Sequence, residues 1–285
     1  MFNYAVSGLI YGGAYALVAV CLVVMFRMVR VLNFAQTAIG AIGAYVAIIL
    51  SEHGWAYLPA ALVGAAAGAG VAVICGSLMS AWFADAPTER RSTVAIAIFI
   101  TLLTLGFRIA GSTPRVAPEL FGGSTFRIFG VNVTWAGLAV VLAAIVLAFL
   151  VDVFLRGTRL GIRLRAQSER PQTAELLGVP SRWLAVGVWG VTGAITAVGL
   201  LVVTPSRGAD FLSIGLLILP ALAAASLGLF RSTWLAVVGG VGIGIITGMT
   251  EYWPEVKQYQ DIIPLAVIVI VLMWTQRKEV WDAAR

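Results

Sequence analysis

The sequence predicts an all-α polytopic membrane protein with about nine transmembrane helices. Three observations lead there. Of 285 residues, 60% are hydrophobic and only 11% are charged, and the mean hydropathy is +0.97. A soluble domain carries about 25% charged residues and could not hide so much apolar surface. Apolar runs of roughly 20 residues, the length that spans a hydrocarbon core, recur along the chain. The nineteen Lys and Arg residues fall in short loops between these runs. That placement follows the positive-inside rule and argues against nucleic acid as the partner of the +6 net charge.

The candidate spans lie at about 4–26, 31–50, 57–81, 93–112, 133–155, 183–204, 211–229, 233–250 and 261–275. With the N-terminus outside and sides alternating, 14 basic residues fall inside and 5 outside. This bias places the C-terminus and the long central loop in the cytosol. The segment 211–229 contains Pro220 and is either a crossing or re-entrant, so eight to ten spans are compatible with the pattern. The whole chain, 1–285, reads as one transmembrane domain in the cell membrane.

The first span follows Met1-Phe2-Asn3-Tyr4 without a basic leader, and reads as retained rather than cleaved. Its Ser7, Gly8, Gly12 and Gly13 allow close helix packing. The second span carries Asn33, Phe34, Gln36, Thr37 and Gly40 near its inner end. In one continuous helix Asn33, Gln36, Thr37 and Gly40 share a face, which must turn away from lipid because unpaired amides are costly there. Two readings fit: interhelical hydrogen bonding, or the lining of a translocation path where the helix unwinds at its glycines. The third span is rich in alanine and glycine, and the turn after it carries Arg90 and Arg91 as topology anchors. Arg108, near the outer end of the fourth span, can snorkel to the interface. The loop 113–132 reads as an outer connector. Gly239, Gly240, Gly242, Gly244 and Gly248 make the eighth span thin. Cys21 and Cys75 lie inside apolar spans, His53 is the only histidine, and no metal-ligand cluster is expected.

All thirteen acidic residues fall in loops or at span ends. Gradient-driven carriers often place a carboxylate within the membrane, so the energy for uphill transport is expected to enter from outside the bilayer. The place for that is the loop 156–182, RGTRLGIRLRAQSERPQTAELLGVPSR, with six arginines. Within it Thr173-Ala174-Glu175-Leu176-Leu177 reads as a helix of about two turns. Ser168 is its expected cap, Pro171 sits in its first turn, and Gly178 and Pro180 stop it.

Three stretches resemble the LivH/LivM-type permeases of bacterial ABC importers for branched-chain amino acids. Leu32-Asn33-Phe34-Ala35-Gln36, continuing to Gly40-Ala41-Ile42-Gly43-Ala44-Tyr45, is similar to the family's N-F-A-H-G and G-x-Y segments. Leu160-Gly161-Ile162-Arg163-Leu164-Arg165-Ala166, continuing to Ala174-Glu175-Leu176-Leu177-Gly178-Val179, is similar to its coupling loop. Ala185 to Leu201 resembles the alanine/glycine-rich span after it. Gln36-Thr37 replaces the family's His-Gly, and its glycine-rich turn near the eighth span appears as Ser226 to Ser232.

The resemblance implies an ATP-driven importer in the bacterial inner membrane. A second homologous permease chain would make a heterodimer, two ATP-binding subunits would hold ATP and Mg, and an external solute-binding protein would deliver the cargo. It implies that Arg163, Arg165, Gln172, Thr173, Ala174, Glu175, Leu177 and Gly178 couple to the ATPase. This chain has no Walker motif, no catalytic constellation and no cofactor site of its own. Its partners would be those subunits and membrane lipid, not nucleic acid. The spans hold no fixed charge, which suits small neutral or zwitterionic solutes such as amino acids and amides. The competing reading is a stand-alone, gradient-driven carrier or channel for a small neutral solute.

Overall fold

The computed structural model describes residues 2–111, 114–115, 125–128, 131–169, 171–176, 178–207 and 210–283. These form thirteen helices and one hairpin. In order they are α1 (Phe2–Val29), α2 (Gln36–Glu52), α3 (Tyr57–Trp82), α4 (Thr88–Ala110), β1 (Thr125–Ile128), β2 (Val131–Thr134), α5 (Trp135–Gly157), α6 (Arg159–Glu169) and α7 (Pro171–Leu176). Then come α8 (Ser181–Arg207), α9 (Phe211–Leu216), α10 (Ile218–Leu227), α11 (Thr233–Thr250), α12 (Pro254–Lys257) and α13 (Ile262–Ala283).

Among the described residues, six helices are long and apolar enough to cross a membrane: α1, α3, α4, α5, α8 and α11. The other three expected spans coincide with shorter apolar helices, Gln36–Glu52, Phe211–Leu227 and Ile262–Gln276. The shortening has local causes. The Ala35 amide donates to Asn33 Oδ1 at 3.1 Å, and this turn delays the start of α2 to Gln36. Asn33 therefore precedes the helix rather than sharing its face, which corrects the single continuous span expected from 31. In 211–229 the helix breaks at Leu217. Pro220 has no N–H for the Leu216 carbonyl and its ring crowds that carbonyl, so the break falls three residues upstream. The second half, from Ile218 to Ser226, is buried nearly all round and lies inside the bundle, whereas α9 buries one face through Phe211, Ile214 and Gly215 and exposes Leu212, Ser213 and Leu216.

The outer connector also departs from expectation. Its C-terminal part is an antiparallel hairpin pairing Thr125 with Thr134 and Ile128 with Val131. Residues 112–113, 116–124 and 129–130 lie outside the described set.

At the centre stands α1, buried from Ala14 through Val23. It runs antiparallel to α11. Gly8 and Gly12 meet Gly244, and Ala16 meets Gly240, so close that a Cβ on Gly240 would stand 2.4 Å from the Ala16 nitrogen. A second close seam joins α2, α3 and α8, where Gly43, Gly64, Gly68 and Gly193 face one another or Ala47, Ala72 and Ala197. Without a hydrophobic drive between helices in lipid, close backbone approach is the main source of packing energy.

One end of the bundle gathers the basic residues. Arg27 pairs with Asp152 of α5 at 3.4 Å, and Trp234 Nε1 of α11 donates to the same carboxylate at 3.0 Å. Arg91 Nη1 donates to the Val29 carbonyl at 3.3 Å. Asp152 thus ties three helices at a partly exposed site. Asp152→Ala is expected to cost about 1 kcal/mol, because each partner can turn to water. Thermal unfolding of the purified protein in detergent checks this: a fall of more than about 3 kcal/mol would mean the site is drier than described.

Candidate functional site

Two regions hold the residues expected to act. The first is the entry into α2. The segment Val31–Ala35 is not helical, and it packs Asn33 (0% exposed) and Gln36 (1%) deep in the bundle. Asn33 Nδ2 donates to Gln36 Oε1 at 2.7 Å. Gln36 Nε2 donates to the Thr192 carbonyl at 2.9 Å and to Thr196 Oγ1 at 2.7 Å, both on α8. Thr37 Oγ1 donates to the Gly215 carbonyl of α9 at 2.6 Å. Gly40 lies against Thr196 and Leu200 within the helix, where a Cβ would stand 2.5 Å from Thr196 Cγ2. Phe34 is half-buried at the edge. The α2 helix runs unbroken past Gly40 and Gly43, so the irregular backbone precedes Gln36 rather than falling at the glycines. The partners Thr192 and Thr196 were not singled out in the sequence, although their i, i+4 spacing in an apolar helix is a usable signal.

The second region is α6, α7 and the turn after them. The arginine-rich arm before the short helix is itself helical, over Arg159–Glu169. Thr158 caps it, accepting from the Gly161 amide at 3.0 Å. A threonine three residues before the bonded amide is an N-cap signature that the arginine density obscured. The buried face is small, with Gly161, Leu164 and Gln167. Leu164 packs with Met28 and Leu155. Arg163 and Arg165 are exposed on the other side. Ser168 does not cap the short helix; it sits in the last turn of α6 and its hydroxyl donates to the Arg165 carbonyl at 2.9 Å.

The short helix α7 covers Pro171–Leu176. The Val179 amide donates to the Ala174 carbonyl at 3.0 Å, and Gly178 has φ +79°. This six-to-one bond with a left-handed residue is the Schellman stop, which favours glycine. Ala174 is 2% exposed and faces inward, while Thr173 is exposed. Leu176 is 89% exposed, the most open large hydrophobic side chain among the described residues. The side chains of Gln172 and Glu175, and Leu177 altogether, lie outside the described set. The loop is fastened at its far end, where Gln167 Nε2 donates to the Ser181 carbonyl at 2.9 Å. No group of three His, Cys, Asp or Glu that could hold a metal occurs among the described residues.

The sequence model of the branched-chain amino acid transport system / permease component family matches residues 4–272. The chain belongs to this family. Its members are transport components rather than enzymes, so this permease is a multi-pass protein of the inner membrane. It is similar to the high-affinity branched-chain amino acid transport system permease protein LivH of Escherichia coli K12. The two are 24% identical over 96% of this chain and 92% of that protein. The corresponding BraD of Pseudomonas aeruginosa is also 24% identical, over 94% of this chain and 92% of its own. Among solved structures, PsaBC from Streptococcus pneumoniae matches at TM-score 0.50 and 11% identity, over 95% of this chain and 90% of that one. A metal-chelate type ABC transporter in an inward-facing conformation matches at TM-score 0.50 and 16% identity, over 95% and 85%. These likenesses establish the fold of ABC transporter membrane subunits.

Proposed function

We propose that this permease is the transmembrane subunit of an ATP-driven importer for branched-chain or related small amino acids or amides. A solute-binding protein delivers the cargo from outside. A second homologous permease completes the membrane part as a heterodimer, and two ATP-binding subunits, carrying ATP and Mg, work it from the cytosol. The N-terminus lies outside, and loop 156–182 projects into the cytosol with the rest of the arginine-rich end. The translocation path runs beside the polar entry to α2. Support for that placement comes from the interrupted backbone before Gln36, since transporters commonly build sites where helices are discontinuous.

The observation that carries this reading is Leu176, 89% exposed, on a helix whose Gly178 stop and inward Ala174 hold it rigid. A short helix that presents a bare Leu176 fits a groove on a partner. Its neighbour α6 packs on α1, α5 and α8 through Leu164, so a push that reaches α6 is passed to the bundle. Arg163, Arg165, Gln172, Thr173, Glu175 and Leu177 then contribute the surroundings of that contact.

The test uses the reconstituted complex with Leu176→Asp and Gly178→Arg. A central interface anchor is worth about 2 kcal/mol, so Leu176→Asp should weaken capture of the ATP-binding subunits roughly 30-fold and abolish ATP-dependent uptake. Gly178→Arg adds a strained left-handed arginine at a position with open space around it and should uncouple hydrolysis from uptake. Full uptake in both variants would count decisively against the reading. Flux of solute through this chain alone in liposomes, without ATP, would instead favour a gradient-driven carrier.

A further inference from the structure

A groove of about 530 Å³ opens on the flank of the bundle near the arginine-rich end, between α5, α6 and α8. Met28, Leu155 and Leu164, all buried, make its floor. Leu150 of α5 and Val191 of α8 stand exposed along its sides. Thr192 carries the one hydroxyl in the lining, and that hydroxyl donates to the Val188 carbonyl at 2.9 Å. No charged side chain lines the groove. Its interior therefore offers contact to hydrocarbon and to little else.

The groove is short. From Trp183 to Thr192, which both line it, α8 rises about 13 Å. That is close to half of the roughly 30 Å hydrocarbon core. A seat for a crossing helix of another subunit would run about twice as far. A groove one leaflet deep matches an acyl chain that enters from one side.

The end at which a chain would enter is basic. Arg159 and Arg163 lie four residues apart, so they share one flank of α6. Each directly precedes a leucine that lines the groove, Leu160 and Leu164. Both arginines are exposed, and neither forms an ion pair among the described residues. Trp183 stands at the same end, 74% exposed, as indoles do at the headgroup level of a bilayer. Two unpaired guanidinium groups one turn apart suit a phosphate, which arginine binds through paired hydrogen bonds. A zwitterionic headgroup would bring a second, cationic group to these arginines, and no carboxylate in the lining receives it.

We propose that this groove binds one anionic phospholipid, with its phosphate at Arg159 and Arg163 and an acyl chain along Leu155, Gly187 and Val191. Basic pockets between membrane helices hold anionic headgroups in this way. The bound lipid joins α6 to α5 and α8, and so braces the helix that precedes α7. The proposal is independent of the importer reading, since it needs only the groove, the two arginines and a bilayer.

The test uses the full-length permease in mild detergent, with any subunits that co-purify. It receives equal amounts of phosphatidylglycerol and phosphatidylcholine with the same acyl chains. Native mass spectrometry is expected to show one phosphatidylglycerol per permease chain, preferred about 30-fold, the ratio for two arginines near a lipid surface. Arg159→Gln combined with Arg163→Gln should bring the two lipids level. Arg90→Gln combined with Arg231→Gln removes the same charge from exposed positions outside the groove and should keep the preference. Gly187→Phe places a ring in the groove, where an added Cβ meets nothing within 4 Å, and should lose the bound lipid. Val191→Trp, at an exposed site on the same wall, repeats the blockade should the first variant fail to fold. Phosphatidylglycerol with a photoreactive acyl chain should label peptides from 150–164 and 183–192 in the wild type. Equal retention of both lipids by the wild type overturns the proposal. So does loss of the preference in the charge-matched control, or retention in a folded, blocked variant. Cross-linking of Val191→Cys to a second permease chain in native membranes would assign the groove to that subunit and overturn the proposal as well.

Discussion

Gly244→Val is expected to remove most of the folded permease from the membrane. On α1, Gly8, Gly12 and Ala16 recur every fourth residue, and on α11 Gly240, Gly244 and Gly248 do the same. The two stripes face each other along the most intimate contact in the bundle. A Cβ on Gly244 would stand 2.2 Å from both the Cα and the nitrogen of Gly12. Both are backbone atoms, so no side-chain rotation relieves the overlap and the helices must part. Parting them exposes the flank of α1, which is buried throughout its middle. Overpacking in a well-filled core costs about 1–3 kcal/mol and sometimes more, and here the clash is with rigid backbone on both sides. The matched control is Gly242→Ala, two residues away, where an added Cβ meets nothing within 4 Å. That substitution should be neutral or stabilising, since alanine is the better helix former by about 1 kcal/mol. Yield and melting temperature of a fluorescent fusion in mild detergent compare the two. Equal melting of both variants would mean that α1 and α11 are not paired as described.

Gln36→Leu is expected to have the second largest effect, and on transport as well as stability. Its amide makes three buried hydrogen bonds, one to the residue that starts the α2 turn and two to α8. Leucine fills similar space but leaves the Asn33 amide nitrogen and the Thr196 hydroxyl short of a partner. Orphaned buried polar groups cost about 1–3 kcal/mol each, and the lost cross-links free the entry of α2 from α8. A double-mutant cycle with Thr196→Val isolates the pair. Residues sharing one network should couple by about 0.5–3 kcal/mol, whereas strict additivity would mean the contact contributes nothing. If the path runs beside this junction, uptake by the assembled complex falls further than its ATPase does. Uptake unchanged in a stable Gln36→Leu complex would move the path elsewhere.

Much of the fold was legible because hydropathy and charge are written locally. Each expected span coincides with an apolar helix, six of them long enough to cross a membrane among the described residues, and Arg27, Arg30, Arg91, Arg165 and Arg231 gather at one end. The Gly178 stop was legible for the same reason, since a left-handed cap depends on the residue that occupies it. The helical state of 159–169 was not. Its buried face is one glycine, one leucine and one glutamine, too weak a period to stand out among arginines. Ser168 looked like a cap only while that helix was unseen.

The amino-acid order by itself determined which segments are apolar helices, which end is basic, and the family to which the permease belongs. Only the tertiary structure decided what those segments touch. Gln36 finds its partners 156 and 160 residues away, and Thr37 finds Gly215 at 178. The same glycine spacing can serve loose packing or backbone contact, and only the helix placed opposite tells which. Leu176 likewise reads as one more apolar residue in a row until packing turns Ala174 inward and leaves it bare. Periodicity is a property of neighbours in sequence, whereas burial and pairing are properties of neighbours in space.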